Sequence, residues 1–293
     1  MSFSLDQNFI NQFNANVHML LSEKGAKLYG LFEESNGAPG ELHMFDRFAD
    51  SGGLNVITNR GDLIVASDGN HSRRVAQREF YYKAFNIYEM DKAKLIIDPA
   101  STYVEESVRA HGVNYDRVII NALLGSAATG KAGAGSTALG AGQVIAAGGT
   151  GLTVAKLDQA IRLLETAHVD VEAEDMYLLV PGHGVEDLVG DSSNRLTSFD
   201  FMESKTLAGK TLPMFRGVKM VRTQLLPQVT SGSVGRAILC TRKAAKVAVW
   251  DRFKSSMDRL VNVANQPMQL YTESSIGAVR MEEGLVVDIQ FTL

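Results

Sequence analysis

The segment GSAATGKA, Gly125 to Ala132, has the residue types and spacing of a phosphate-binding loop. It fits the pattern G-x-x-x-x-G-K-[ST] as far as Lys131, and in that pattern backbone amides and the lysine hold phosphate oxygens. The final position is Ala132, so no hydroxyl is available for magnesium. The glycine-rich sequence that follows is also unsuited to a helix whose N-terminus would face the phosphates. These missing parts disfavour nucleotide binding, and a nucleotide-binding enzyme that uses Gly125 to Lys131 stays as an alternative hypothesis.

Three further matches to functional motifs are weak. GAGSTA, Gly133 to Ala138, superficially fits a dinucleotide fingerprint, but no βαβ pattern surrounds it. The RGD tripeptide at positions 60–62 is better explained as the polar tip of a hairpin. His183 lies near Glu186 and Asp187 and could bind a metal with them, yet acidic residues there also suit the positive N-terminus of a helix. No G-x-S-x-G elbow is present, so we predict no catalytic, cofactor-binding or metal-binding residues.

The composition is that of a globular protein. The chain has 293 residues, of which 45% are hydrophobic and 21% charged, enough for one large domain or two modest ones. Its net charge of −4 disfavours a dedicated nucleic-acid binder. The N-terminal sequence lacks a signal-peptide pattern, and no run of about 18 apolar residues suggests a membrane span. Cys240 is the only cysteine, which excludes an intrachain disulfide and indicates a cytoplasmic setting.

The elements that would position any site begin with an amphipathic N-terminal helix. Its apolar residues recur at helical spacing; they are Phe9, Phe13, Val17, Leu20, Leu21, Leu28 and Leu31. Glycine and proline at 35–40 end it. Extended segments at 42–48 and 73–88, and a β-like stretch at 54–65, then flank turn residues at 68–70. This pattern predicts a protruding hairpin, which is marginal alone, so we expect it to lie on a neighbouring chain.

Asp98-Pro99 begins the longest predicted helix, because proline is tolerated in the first turn. One helical face carries Val104, Val108, His111, Tyr115, Ile119 and Ala122. Gly112 costs about 1 kcal/mol relative to alanine, but a helix continuous to Leu124 would be about 38 Å long. We expect His111 to be a satisfied core or interface histidine. The small residues of 125–152 predict an irregular excursion with short strands near 143–146.

The second half combines two helices with a series of strands. Thr153 is predicted to cap a helix whose inner face carries Val154, Leu157, Ile161 and Leu164. An acidic turn leads to a strand at 176–180, and a short helix follows around 185–189. Further strands are predicted at 215–221, 237–240, 246–250, 268–278 and 285–291. This order indicates an α+β fold without internal repeats.

Aromatic and basic residues are interleaved in the second extended segment. The aromatic residues are Tyr81, Tyr82, Phe85 and Tyr88, with Trp250 farther along the chain, and the basic ones are Arg73, Arg74, Arg78 and Lys83. Such residues could stack on nucleic-acid bases. The negative net charge and the lack of a known RNA-binding motif instead favour packing on a partner chain, where long side chains bridge subunits.

Three collinear stretches resemble one family of phage capsid proteins. They are DKAKLIIDPASTYVEESVRAHGVNYDRVIINALLGSAATGKAG (Asp91 to Gly133), MFRGVKMVRTQLLP (Met214 to Pro227) and YTESSIGAVRMEEGLVVDIQ (Tyr271 to Gln290). The order of elements is similar to that of tailed-bacteriophage major capsid proteins with the Hong Kong 97-type fold. The resemblance covers most of the chain from about Leu42 onward.

The resemblance implies an α+β fold of the Hong Kong 97 type with five segments. These would be an N-terminal arm (1–40), an extended hairpin loop (41–90), a peripheral domain with a spine helix (91–152), an axial domain (153–226), and C-terminal strands returning to the peripheral and axial sheets (227–293). Some relatives are crosslinked through a lysine and an asparagine, and no residue pair of this chain can be assigned to that chemistry.

The implied function is that of a structural shell subunit, not an enzyme, that assembles into hexamers and pentamers of an icosahedral head around double-stranded DNA. The implied partners are further copies of the chain, a separate scaffolding protein, a portal and decoration proteins. Contact with DNA would be non-specific, and no cofactor or membrane is implied. The protein would assemble in the bacterial host cytoplasm and reside in the virion. A bacterial nanocompartment shell of the same fold and a phage accessory protein are further alternatives, the latter disfavoured by the length and the spine helix.

Overall fold

A computed structural model of the protein describes residues 26–49, 70–88, 99–190, 214, 217–230 and 232–293. Most of the predicted N-terminal helix, the β-like stretch at 54–65 and the tripeptide at 60–62 lie outside these ranges. In chain order the strands are β1 Glu33–Asn36, β2 Leu42–Ala49, β3 Asn70–Gln77, β4 Glu79–Ile87, β5 Ala127–Thr129, β6 Gly135–Thr137, β7 Val144–Ile145, β8 Met176–Val180, β9 Val218–Arg222, β10 Val234–Thr241, β11 Ala245–Arg259, β12 Met268–Arg280 and β13 Val286–Thr292. The α-helices are α1 Pro99–Leu124, α2 Val154–Thr166 and α3 Gly182–Gly190.

A four-stranded sheet, called the long sheet below, is built on the antiparallel pair β11–β12. Its order is β1-β11-β12-β4, with β1 parallel to β11 and β4 antiparallel to β12. Helix α1 packs on this sheet, and Ile119 and Leu123 share one core with Val247 and Ile276. The helix is continuous through Gly112, which is one of the two possibilities that the sequence left open. Burial of side chains on both sides of the glycine outweighs its low helix propensity.

A five-stranded sheet has the order β7-β13-β10-β8-β9. One face packs on helices α2 and α3, where Leu157, Leu164 and Leu188 join the apolar side chains of the strands. The other face joins the core beneath α1. Thr153 caps α2 by accepting a hydrogen bond from the Lys156 amide, and β8 spans the predicted residues, so both predictions are confirmed. None of the three described helices combines the length and apolarity needed to cross a membrane.

A third sheet, called the hairpin sheet below, has the order β2-β3-β5-β6. Strands β2 and β3 pair antiparallel from Leu42 opposite Gln77 to Ala49 opposite Asn70, which confirms the base of the predicted hairpin. Only Arg78 separates β3 from β4, so one extended run passes from the hairpin sheet into the long sheet. The crossing requires Gly277, because a β-carbon there would lie 2.2 Å from the Gln77 carbonyl oxygen.

The described end of the predicted N-terminal helix is not helical. Residues 27–31 form turns before β1, so the prediction that the helix reaches Leu31 is wrong. The amides of Lys27 and Leu28 donate to the two carboxylate oxygens of Asp116 on α1, at 3.2 and 3.0 Å. Leu28 is fully buried in the core beneath α1. This tertiary contact satisfies amides that a helix would have used internally.

Lys156 holds the glycine-rich segment against the five-stranded sheet. Its ammonium group donates to the carbonyl oxygens of Ala147 at 2.7 Å, Thr150 at 3.0 Å, Gly151 at 3.1 Å and Gln290 at 3.1 Å. The side chain is buried. An ammonium has three N–H groups, so the four oxygens share them. One lysine thereby joins the loop before α2 to strand β13.

We predict that Lys156→Met lowers the free energy of unfolding by about 2–4 kcal/mol, because the carbonyl groups lose their common donor in a buried setting. Urea unfolding followed by circular dichroism measures the change. Lys131→Met is the matched control, since that lysine is exposed in a turn and should change stability by no more than about 0.5 kcal/mol. Equal stabilities for the two variants would contradict the role assigned to Lys156.

His111 joins the middle of α1 to strand β12. Its Nδ1 lies 2.8 Å from the Ser274 hydroxyl and its Nε2 lies 3.2 Å from the Thr272 hydroxyl, while the ring meets Phe253 edge-on. The prediction of a satisfied core histidine is confirmed. Burial lowers the pKa of His111, and the nearby positive charge of Lys83 lowers it further.

The lowered pKa of His111 predicts that acid weakens the fold. Below the unfolded histidine pKa of about 6.5, the unfolded chain binds a proton that the folded chain resists, so stability falls as the pH drops. The contribution has a slope of at most about 1.4 kcal/mol per pH unit. We expect His111→Gln to reduce the stability difference between neutral and acidic pH in urea titrations. The exposed-site control His183→Gln should leave it unchanged, and an unchanged difference in His111→Gln would refute this assignment.

Candidate functional site

The phosphate-loop-like segment forms the end of a helix and a β-hairpin. Gly125 follows the last residue of α1, and β5 and β6 then pair antiparallel with Ala127 opposite Thr137. Lys131 is exposed in the turn between these strands. A phosphate loop needs a helix whose N-terminus faces the anion, whereas here the helix precedes the glycines and a strand follows them. The geometry therefore opposes the nucleotide-binding alternative. The dinucleotide-like stretch that contains β6 leads only to a single 3₁₀ turn at Ala141–Gln143 and not to an α-helix.

The histidine and acidic residues near residue 185 do not form a metal site. His183 and Glu186 lie in helix α3 with 3.9 Å between Nδ1 and Oε2, and both side chains are largely exposed. Asp187 instead accepts a hydrogen bond from the Leu152 amide at 3.0 Å. Across the described ranges, no group of three or more His, Cys, Asp or Glu side chains could hold a metal ion.

The glycine-rich hairpin is held by the buried guanidinium of Arg280, at the end of β12. Nη1 donates to the carbonyl oxygens of Leu123 at 2.8 Å and Gly125 at 2.5 Å, and Nη2 donates to that of Thr137 at 3.0 Å. The last carbonyls of a helix lack partners within the helix. Arg280 supplies donors to the C-terminal end of α1 and ties β6 to the same point.

A second buried arginine joins the hairpin sheet to this anchor. Arg74 on β3 donates through Nε to the Met281 carbonyl oxygen at 3.1 Å, and its Nη2 lies 2.6 Å from a Glu283 carboxylate oxygen. The same oxygen lies 3.8 Å from Nη2 of Arg280. Burial lowers the pKa of Arg280, and Glu283 opposes that effect. The sequence did not predict these contacts, because neither arginine carries a local signal of its partners in distant segments.

The predicted aromatic cluster is divided between the two faces of the long sheet. Along β4, exposure alternates between neighbouring residues. On the side that faces α1, Phe85 stacks on Tyr103 with ring centroids 4.8 Å apart. On the opposite side, Phe80 is 69% exposed and Tyr82 is 73% exposed. Trp250 lies apart from both, 6.5 Å and edge-on from His43.

The exposed Phe80 and Tyr82 and the half-buried Tyr271 form a patch, called the aromatic face below. Tyr82 and Tyr271 stack with ring centroids 6.0 Å apart, and the Tyr271 hydroxyl donates to Glu273 at 3.1 Å. The guanidinium of Arg78 lies 4.3 Å from the Phe80 ring centroid. Exposed aromatic groups in a contiguous patch are typical of an interaction site.

Hydrogen bonds hold the side chain of Arg78 at one edge of the aromatic face. Its Nε donates to the Ser275 hydroxyl at 2.6 Å and its Nη2 donates to Asp251 at 2.8 Å. Its backbone amide donates to the Glu41 carbonyl oxygen at 2.9 Å. The residue that links β3 to β4 therefore also supports Phe80. The arrangement offers an aromatic contact surface with one anchored edge.

We predict no saturable binding of a fluorescent ATP analogue, with or without magnesium, because Lys131 lies in a hairpin turn. Fluorescence anisotropy during a protein titration measures binding. Lys131→Ala is the control, and its titration should coincide with that of the unaltered protein. Saturable binding that disappears in Lys131→Ala would contradict the structural assignment and support the enzyme alternative.

Comparison with known proteins relates this geometry to phage heads. The fold is similar to that of the cyanophage Pam1 capsid asymmetric unit, with a TM-score of 0.69 and 13% identity over 91% of this chain and 92% of that chain. It is also similar to the Ralstonia phage GP4 capsid, with a TM-score of 0.65 and 10% identity over 93% and 90%. For the cyanophage P-SCSP1u capsid the values are 0.64 and 13% over 88% and 86%.

At these identities the structural likeness shows a shared fold, and the predicted α+β capsid fold is confirmed. No curated protein matches the sequence. Residues 5–293 match the family described as phage capsid protein. Because the match spans nearly the whole chain, the protein belongs to the phage capsid protein family and is a structural component of the virion.

Proposed function

We propose that the protein is the major capsid subunit of a phage and assembles into hexamers and pentamers of an icosahedral head around double-stranded DNA. The observation that carries the proposal is an aromatic face left exposed on a chain of the phage capsid family. Such a face suits a subunit that is completed by its neighbours. The family match favours a phage head over a nanocompartment shell.

The segments of the subunit would follow the five ranges given above, from the arm at 1–40 to the returning strands at 227–293. Two structural features support this division. Strands β11 and β12 belong to the long sheet, on which α1 packs, and this unit would form part of the peripheral domain. Strands β8, β10 and β13 belong to the five-stranded sheet, on which α2 packs, and this unit would form part of the axial domain. Because β4 lies in the long sheet, the protruding part of the hairpin loop would be β2 and β3.

Assembly would use many modest contacts. Obligate interfaces often bury about 2,000 Å² or more, and closed symmetry repeats each contact around the shell. A hairpin that reaches a neighbour adds area that a compact subunit cannot offer. The net charge of −4 suits a shell that contains DNA without binding it specifically, since tight phosphate binding relies on lysine and arginine. A scaffolding protein, a portal and decoration proteins would be the other partners, and no enzymatic step is proposed.

We expect negative-stain electron microscopy of the purified protein, after size-exclusion chromatography, to show rings of five or six subunits or closed shells. Coexpression with a scaffolding protein should increase the fraction of shells of one size. Efficient formation of uniform shells by the protein alone would overturn the expected need for a scaffold. A folded protein that stays monomeric even with the neighbouring phage gene products would contradict the capsid proposal itself.

A further inference from the structure

Two buried arginines share one carboxylate where the hairpin sheet meets the end of α1. Arg280 is fully buried and Arg74 is 3% exposed. One carboxylate oxygen of Glu283 lies 2.6 Å from Nη2 of Arg74 and 3.8 Å from Nη2 of Arg280. The neighbouring Glu282 is already paired with Arg47 at 3.3 Å. The two buried guanidinium groups therefore place two positive charges against the one negative charge of Glu283.

Arginine cannot relieve this imbalance by losing its proton. A guanidinium group stays charged throughout the physiological pH range, and a buried charge without a counter-charge is costly. Burial lowers the pKa of Arg280, Glu283 opposes that effect, and the positive charge of Arg74 adds to it. The two arginines thus repel each other in a buried setting, and a further negative charge would stabilise both.

The same two guanidinium groups carry unpaired donors. Within the described ranges, Nε of Arg280 and Nη1 of Arg74 have no hydrogen-bond partner, although both atoms are buried. The buried hydroxyl of Ser72, on the same face of β3 as Arg74, has none either. Buried donors without acceptors destabilise a fold. A water molecule would satisfy these donors and leave the charge unbalanced, whereas an anion would do both.

Space for a small ion exists beside Arg280. This residue lines a cavity of about 250 Å³ between α1, β5 and the start of β4, and Asn121 and Ser126 line it as well. Both of these side chains carry neutral donors that suit an anion. Glu79 also lines the cavity and accepts a hydrogen bond from the Tyr81 hydroxyl. Because that carboxylate repels anions, the ion would lie at the Arg280 end.

We propose that Arg74 and Arg280 bind a small monovalent anion of the size of chloride. One such ion neutralises the net positive charge of the two arginines and Glu283, and it accepts hydrogen bonds from N–H groups that are otherwise unpaired. The ion completes the anchor that joins the hairpin sheet to the C-terminal end of α1. The site belongs to the folded subunit, so its occupancy does not depend on capsid assembly.

Exchange of the anion at constant ionic strength tests the site. We expect the unfolding equilibrium constant in urea to be at least fivefold smaller in sodium chloride than in sodium gluconate. An ion that binds only the folded state stabilises it, and gluconate is too large for a buried site. Arg162→Gln, which removes an exposed arginine of α2, should show the same ratio between the two salts. Equal constants for the unaltered protein in the two salts would overturn the proposal.

Two substitutions at the site have opposite expected effects on this ratio. Glu283→Gln leaves both arginines without a carboxylate, so the difference between the two salts should grow at least threefold. Arg74→Gln leaves one arginine beside Glu283, so the two salts should give nearly the same unfolding constant. If Arg74→Gln keeps the ratio of the unaltered protein, the salt effect is general and the site does not exist.

Direct detection of the ion does not rely on the folding of any variant. Crystals of the unaltered protein grown with bromide in place of chloride should show an anomalous diffraction peak in hydrogen-bond contact with Nε of Arg280 or Nη1 of Arg74. Density for water alone at this position, without an anomalous peak, would overturn the proposal and leave the capsid function untouched.

Discussion

The buried guanidinium of Arg280 is the interaction on which the arrangement of the sheets depends. A buried charge is costly unless hydrogen bonds offset the loss of water, and here the carbonyl oxygens at the end of α1 and in β6 accept hydrogen bonds from Nη1 and Nη2 of Arg280. Through Glu283, the same site meets Arg74 of the hairpin sheet. The long helix, the glycine-rich hairpin and strand β3 of the β2–β3 hairpin therefore share one anchor.

Local signals in the sequence were sufficient for elements that have their own start, stop and periodicity. Strand β8 was predictable because an apolar run lies between Asp175 and Pro181. Helix α2 was predictable from the Thr153 cap and the spacing of Leu157, Ile161 and Leu164. The long helix was predictable from its apolar face. Whether it continued through Gly112 depended on the burial of side chains on both sides of the glycine, which the sequence alone does not reveal.

Features that depend on contacts between distant segments could not be predicted. The glycine-rich stretch has no periodicity, so nothing indicated that β5 and β6 would pair beside Arg280. The residues before β1 had helical spacing, yet Asp116 takes the amides of Lys27 and Leu28 and a turn forms instead. The aromatic residues were recognised as a group, but only strand pairing shows that Phe85 faces the helix while Phe80 and Tyr82 face outward.

A subunit built in this way has three joined sheets and an exposed aromatic face, and such a face is suited to burial in an assembly. The most direct measurement is electron cryomicroscopy of assembled shells at a resolution that shows side chains. The account predicts that copies of this chain build the shell in rings of five and six, and that contacts between copies cover Phe80 and Tyr82. A shell in which these two side chains face solvent would contradict it.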